Sequence, residues 1–156
     1  MGNIYESRSS FNRAFKEFIW NEHLVSLLQG CGWLDGGCRS LMRAIEYWME
    51  DEPIQTYQIV KNRSCLHSEH ALIRIGKCYI DGDGISTYHA LYQRWRNVER
   101  LSHVYIRPFK PEVEPPNTAM GIPEVPFYIE EESIEIIANA LASRFDKKKL
   151  VSLMNR

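Results

Sequence analysis

The sequence predicts an α+β domain in which helices flank a small antiparallel sheet. Three observations lead there. Segments of helical apolar spacing stand at both ends of the chain. Short β-forming runs cluster in its middle. Six of the seven prolines crowd between Pro108 and Pro126, which rules a helix out of that stretch.

The first helix is expected over residues about 10 to 29, where Phe11, Ala14, Phe15, Phe18, Val25 and Leu28 repeat at three and four. Ser9 or Ser10 can cap its start and Gly30 can end it. A turn-rich loop, Gly30-Cys31-Gly32 and Asp35-Gly36-Gly37, leads to a second helix over about 38 to 51. Its stripe is Cys38, Leu41, Met42, Ile45, Trp48 and Met49, and Pro53 blocks its continuation.

Ile54 to Val60 is rich in β-formers and reads as a strand. His70–Ile75 and Lys77–Asp81 read as a hairpin about Gly76, and Asp81-Gly82-Asp83-Gly84 as a loop. Ser86 or Thr87 can cap a third helix carrying Tyr88, Leu91, Tyr92, Trp95 and Val98 on one face. Trp95 and its stripe read as core. His103–Ile106 is a further strand candidate, residues 108–126 an extended crossing segment, and 131–146 a last helix. Lys147, Lys148, Lys149 and Arg156 read as basic residues at that helix's C-terminal end, offsetting its dipole.

A length of 156 residues fits one domain, with a core over about 30–107. Hydrophobic residues make up 44% and charged residues 25%, so a sizeable core is available. Nineteen basic and 20 acidic residues leave a net charge of −1, which gives no electrostatic basis for a nucleic-acid or membrane-surface partner. Neither a secretory leader nor an apolar run of membrane-spanning length is visible, so the expectation is a cytoplasmic protein with reduced cysteines.

The chemistry concentrates in Cys38, His70 and Asp81. Cys38 opens a helix, where unpaired backbone N–H groups favour a thiolate and can hold a developing oxyanion. Gly36 and Gly37 remove side-chain bulk just before it. Strand alternation tests whether His70 and Asp81 meet. If Ile75-Gly76 is the hairpin loop, His70 lies opposite Asp81. If Gly76-Lys77 is the loop, His70 lies opposite Asp83, with Asp81 diagonal on the same face. Paired Cβ atoms lie about 4.5–5.5 Å apart, within reach of an imidazole–carboxylate hydrogen bond.

Other readings of these residues are available. Cys38 lies on an apolar stripe and could be a buried core cysteine. Asp81 or Asp83 could simply stabilise an Asp-Gly-Asp-Gly turn. Cys31, Cys65, His67 and Cys78 could serve zinc, but they form no C-x2-C pair. Asp81-x-Asp83 begins like a calcium loop, but no Glu closes one.

Gly36-Gly37-Cys38-Arg39-Ser40-Leu41 at a helix start, His70-Ala71-Leu72-Ile73 opening a strand and Tyr79-Ile80-Asp81 ending the next resemble the papain-like fold superfamily, in particular its transglutaminase-like branch. Arylamine N-acetyltransferases share the arrangement. The resemblance implies a papain-like core with the nucleophile helix packed on the sheet. It implies Cys38 as nucleophile, His70 as general base and acid, and Asp81 as the group orienting the imidazole. The implied activity is hydrolysis, deamidation or acyl transfer on a peptide, protein or small amide, with no cofactor. The chain departs from papain-type peptidases six residues before the nucleophile, where Gly32 replaces their Gln. It departs from transglutaminases at Leu72, where they place an aromatic residue. Gln29 and the Trp33 indole are the substitutes considered for the missing oxyanion donor, alongside the Gly37 backbone. The alternative is a non-catalytic binding or inhibitory module on the same fold.

Overall fold

The computed structural model describes residues 7–28, 32–34, 37–64, 68–110 and 130–156. Gln29, Cys31, Gly36, Cys65, His67 and the proline-rich stretch 111–129 lie outside these residues. Within them the fold is α+β, with six helices and a five-stranded antiparallel sheet.

The helices are α1 (Arg8–Ile19), α2 (Glu22–Ser26), α3 (Cys38–Trp48), α4 (Tyr88–Asn97), α5 (Glu131–Arg144) and α6 (Lys147–Met154). The strands are β1 (Gln55–Val60), β2 (His70–Ile75), β3 (Cys78–Asp81), β4 (Gly84–Thr87) and β5 (Tyr105–Pro108), in the sheet order β4-β3-β2-β1-β5.

The sheet separates two apolar layers. Ala71, Ile73, Ile75, Cys78, Ile80 and Ile85 face α1, α3, α5 and α6 across the main core. Tyr57, Ile59, Leu72 and Tyr79 face Leu91 and Trp95 of α4. Residues 71, 73 and 75 point one way and 72 the other because strand side chains alternate. That alternation puts Leu72 and His70 on the α4 side, where the His70 ring meets Trp95.

Four elements differ from the sequence expectation. The single helix over 10 to 29 is two, because Asn21 starts a new one by accepting from Leu24 N at 2.9 Å. Ser7 rather than Ser9 or Ser10 caps α1, with Ser10 closing the capping box. Gly84–Thr87, expected partly as loop, forms β4. Asn12 of α1 braces this short edge strand, donating to Ile85 O (2.9 Å) and accepting from Ile85 N (2.6 Å). β5 begins at Tyr105, two residues later than expected.

The lysine cluster corrects a further expectation. Lys147–Lys149 do not end α5; they occupy the first turn of α6, where positive charge opposes the dipole. Asp146 offsets this by capping Lys148 N at 2.9 Å and Lys149 N at 3.2 Å. Lys147 and Lys148 reach back to Asp51 (2.5 Å) and Glu52 (2.6 Å) after α3.

Candidate active site

The hairpin resolves the register. Ile75 pairs with Cys78, Arg74 with Tyr79 and Ile73 with Ile80, so Gly76-Lys77 is the loop. Gly76 has φ +59°, the left-handed backbone such a turn requires. Continuing the same pairing sets Leu72 across from Asp81 and leaves His70 as its diagonal neighbour on the α4 side. The two side chains close the gap: His70 Nε2 lies 2.7 Å from Asp81 Oδ2. His70 is fully buried and Asp81 is 3% exposed.

Cys38 sits at the first position of α3, 4% exposed. Its thiol interacts with the His70 imidazole and accepts from the backbone N–H of Ala71. Because Nε2 is tied to Asp81, Nδ1 is the imidazole nitrogen left for the thiol. Nδ1 is buried and makes no hydrogen bond in this geometry, so it is free to face the thiol. The structure therefore brings Cys38, His70 and Asp81 together in that order.

Electrostatics follow from the packing. Burial raises the Cys38 thiol pKa, but the His70 interaction, the Ala71 N–H and the Arg39 charge outweigh it and hold the thiol below its usual 9.0. Burial lowers the His70 pKa, yet the bonds to Asp81 and Cys38 prevail and raise it to about 9. Burial likewise pushes Asp81 up, and His70 and Arg94 pull it down to about 2. These directions shift the set toward a thiolate beside an imidazolium, backed by a carboxylate.

Three residues to which sequence reasoning assigned no role in the site complete the setting. Arg94 of α4 donates through Nη2 to Asp81 Oδ2 and through Nη1 to Asp83 Oδ2 at 2.9 Å. Trp95, read from sequence as core, does pack in the core. Its ring also lies against the imidazole, with centroids 4.8 Å apart at 31°. Arg39, buried behind Cys38, donates through Nη2 to Ser68 O (3.1 Å) and Ser68 Oγ (2.8 Å), fixing the segment that enters His70. One sequence signal points to a cation such as Arg94: Asp81 and Asp83 are two acids separated by one residue.

The oxyanion candidates fare differently. The Trp33 indole N–H donates to Ile19 O at 2.7 Å, so it is committed to the core and not to the thiol. The Gly37 N–H donates to Gly32 O at 2.9 Å. Gln29 lies outside the described residues. Asp83 braces the acid, its own N–H donating to Asp81 Oδ1 at 2.9 Å. The N–H of Cys38 itself, in the first helical turn, lacks an intrahelical acceptor. Gly82, after Asp81, allows the Trp33 side chain to close on this corner. A Cβ there would stand 2.7 Å from Trp33 Cβ.

Among the described residues no cluster of three or more His, Cys, Asp or Glu could hold a metal ion, and no helix is long and apolar enough to cross a membrane. No family model, curated protein or solved structure matches this chain, so the geometry alone carries the functional reading.

Proposed function

We propose that this chain is a cysteine-nucleophile hydrolase or acyltransferase on a papain-like, transglutaminase-like core, with Cys38, His70 and Asp81 as its catalytic set. The observation that carries the reading is the buried His70–Asp81 pair, Nε2 to Oδ2 at 2.7 Å, with the Cys38 thiol beside the same imidazole. A helix-start thiol, a base oriented by an acid and a nearby backbone donor are the parts that acyl transfer requires.

In this mechanism the Cys38 thiolate attacks the carbonyl carbon of an amide or thioester. The carbonyl oxygen becomes an oxyanion near the Cys38 N–H. His70 gives its proton to the leaving amine or thiol as the tetrahedral adduct collapses to an acyl-enzyme. His70 then takes a proton from water or an acceptor amine, which attacks the acyl carbon and releases Cys38. Asp81 holds the imidazole ring throughout. Every bond broken is matched without a cofactor.

A second reading has its own support. Cys38 is only 4% exposed, so a substrate carbonyl reaches the sulfur only when the surrounding chain opens. A binding or inhibitory module that keeps the series as a structural element would show the same closure. Acyl-thioester and amide probes, followed by mass spectrometry of the intact chain, separate the two. Acylation of Cys38 that hydroxylamine removes supports catalysis. A chain that stays unmodified by every probe, while Cys38→Ala folds and keeps its partner binding, supports the module.

A further inference from the structure

We infer that Arg94 is a positioning residue that limits how strongly Asp81 holds the proton on His70, and that Asp83 tunes Arg94 in turn. The inference deepens the proposed function, because it treats His70 and Asp81 as one proton-coupled pair.

Geometry carries the argument. A single carboxylate oxygen, Asp81 Oδ2, serves two cationic donors: His70 Nε2 from β2 and Arg94 Nη2 from α4. The other oxygen, Oδ1, accepts the Asp83 N–H at 2.9 Å. Asp81 is 3% exposed, so its charge is poorly screened and must be divided between the two partners. Arg94 always carries its charge. Across the shared oxygen that charge repels an imidazolium and lowers the benefit of protonating His70.

Asp83 works in the opposite sense. Its Oδ2 takes Arg94 Nη1 at 2.9 Å and neutralises part of the guanidinium charge. The charged and titratable groups around His70 are then Asp81 from β3, Asp83 from the following turn, Arg94 from α4 and Cys38 and Arg39 from α3, with the Trp95 ring covering one face. The site holds one carboxylate more than a triad needs and one guanidinium to match it. A simple orienting acid would require neither.

The two variants shift the balance in opposite directions. Arg94→Gln keeps an amide donor toward Asp81 and removes the like charge, so His70 should bind its proton more tightly. Asp83→Asn preserves the backbone N–H to Asp81 Oδ1 and leaves the Arg94 charge uncompensated, so His70 should bind its proton less tightly. Loss of packing alone would move both variants the same way.

The experiment is an NMR titration of the His70 ring nitrogens in full-length chain carrying Cys38→Ala, alone and with each variant added. Removing the thiol makes the reading independent of nucleophilicity. The expected result is a midpoint raised by about one pH unit with Arg94→Gln and lowered with Asp83→Asn, the scale of one charge at a few ångströms. Should Arg94→Gln fail to fold, the Asp83→Asn shift decides alone. Midpoints that stay fixed, or move in the same direction, overturn the inference. An unreactive Cys38 in the wild-type chain with opposite shifts still present would overturn the proposed catalysis and leave this inference standing.

Discussion

His70 and Asp81 are bonded across a diagonal of the β2–β3 hairpin, Nε2 to Oδ2 at 2.7 Å, although they are not register partners. The diagonal has a consequence. A directly opposite acid would lie close to the imidazole with little room for a third group, whereas the offset leaves Oδ2 open to Arg94 on the α4 side. The acid thus belongs to two cations at once.

Removing that acid should be severe. Asp81→Asn leaves the buried imidazolium and the Arg94 guanidinium without their shared anion, and it also weakens the Asp83 N–H bond. The expected loss is about 3–5 kcal/mol, the scale of breaking a buried pair from one side. Urea unfolding at pH 7 measures it. A loss below about 1 kcal/mol would mean that Asp81 is solvated and not paired as described.

Stability should depend on pH in a way each group dictates. Asp81 is depressed to about 2, so its contribution is present above the ordinary carboxylate range and is lost as pH falls through about 2. His70 is raised to about 9, so its contribution is complete below about 6.5 and is lost as pH rises through about 9. The Cys38 thiol is lowered, so its contribution is complete above its usual 9.0 and declines as pH falls through its folded value. Between the folded value of Cys38 and pH 9 the last two slopes oppose each other. Wild-type urea midpoints should change little there, whereas those of Cys38→Ala should decline. Parallel curves for the two proteins would contradict a coupled pair.

Trp33 offers a test that separates packing from chemistry. Trp33→Phe keeps an aromatic ring in the core and leaves Ile19 O without its donor. The expected cost is about 1–3 kcal/mol, with the alkylation rate of Cys38 unchanged. A large fall in Cys38 reactivity with little loss of stability would assign the indole to the thiol after all.

Arg39 should matter for both. It is buried beside Cys38, and its guanidinium ties Ser68, two residues before His70, to the start of α3. Arg39→Met preserves much of the stem and loses the donors. Expected are a loss of about 1–3 kcal/mol in urea and a slower Cys38 at pH 7, since both the charge and the anchor are gone. An unchanged reactivity would restrict Arg39 to a structural role.

Much of this site was legible in the chain because it depends on short-range rules. Period-two alternation alone sets His70 and Asp81 on one face in either even register, and Gly76 selects the loop. The helix start at Cys38 follows from the glycines before it and the apolar spacing after it. What the chain hid depends on longer-range contacts. Arg94 meets Asp81 only because α4 packs across the sheet face that carries residue 72. β4 exists because Asn12, more than seventy positions away, supplies its edge bonds. The break after α1 and the separate α6 rest on Asn21 and Asp146, two caps whose effect outweighs continuous apolar spacing around them. The indole of Trp33 was available on paper, and only the tertiary structure shows that Ile19 O takes it.

The central claim is that Cys38 is a thiolate held by His70. Its most direct test is the rate of iodoacetamide alkylation at each cysteine against pH, read by mass spectrometry in wild type and His70→Ala. The account predicts that Cys38 reacts with a midpoint below the free-thiol value of about 8.5 and that His70→Ala abolishes this advantage. A Cys38 that stays inert in the native chain and reacts only after denaturation would contradict it.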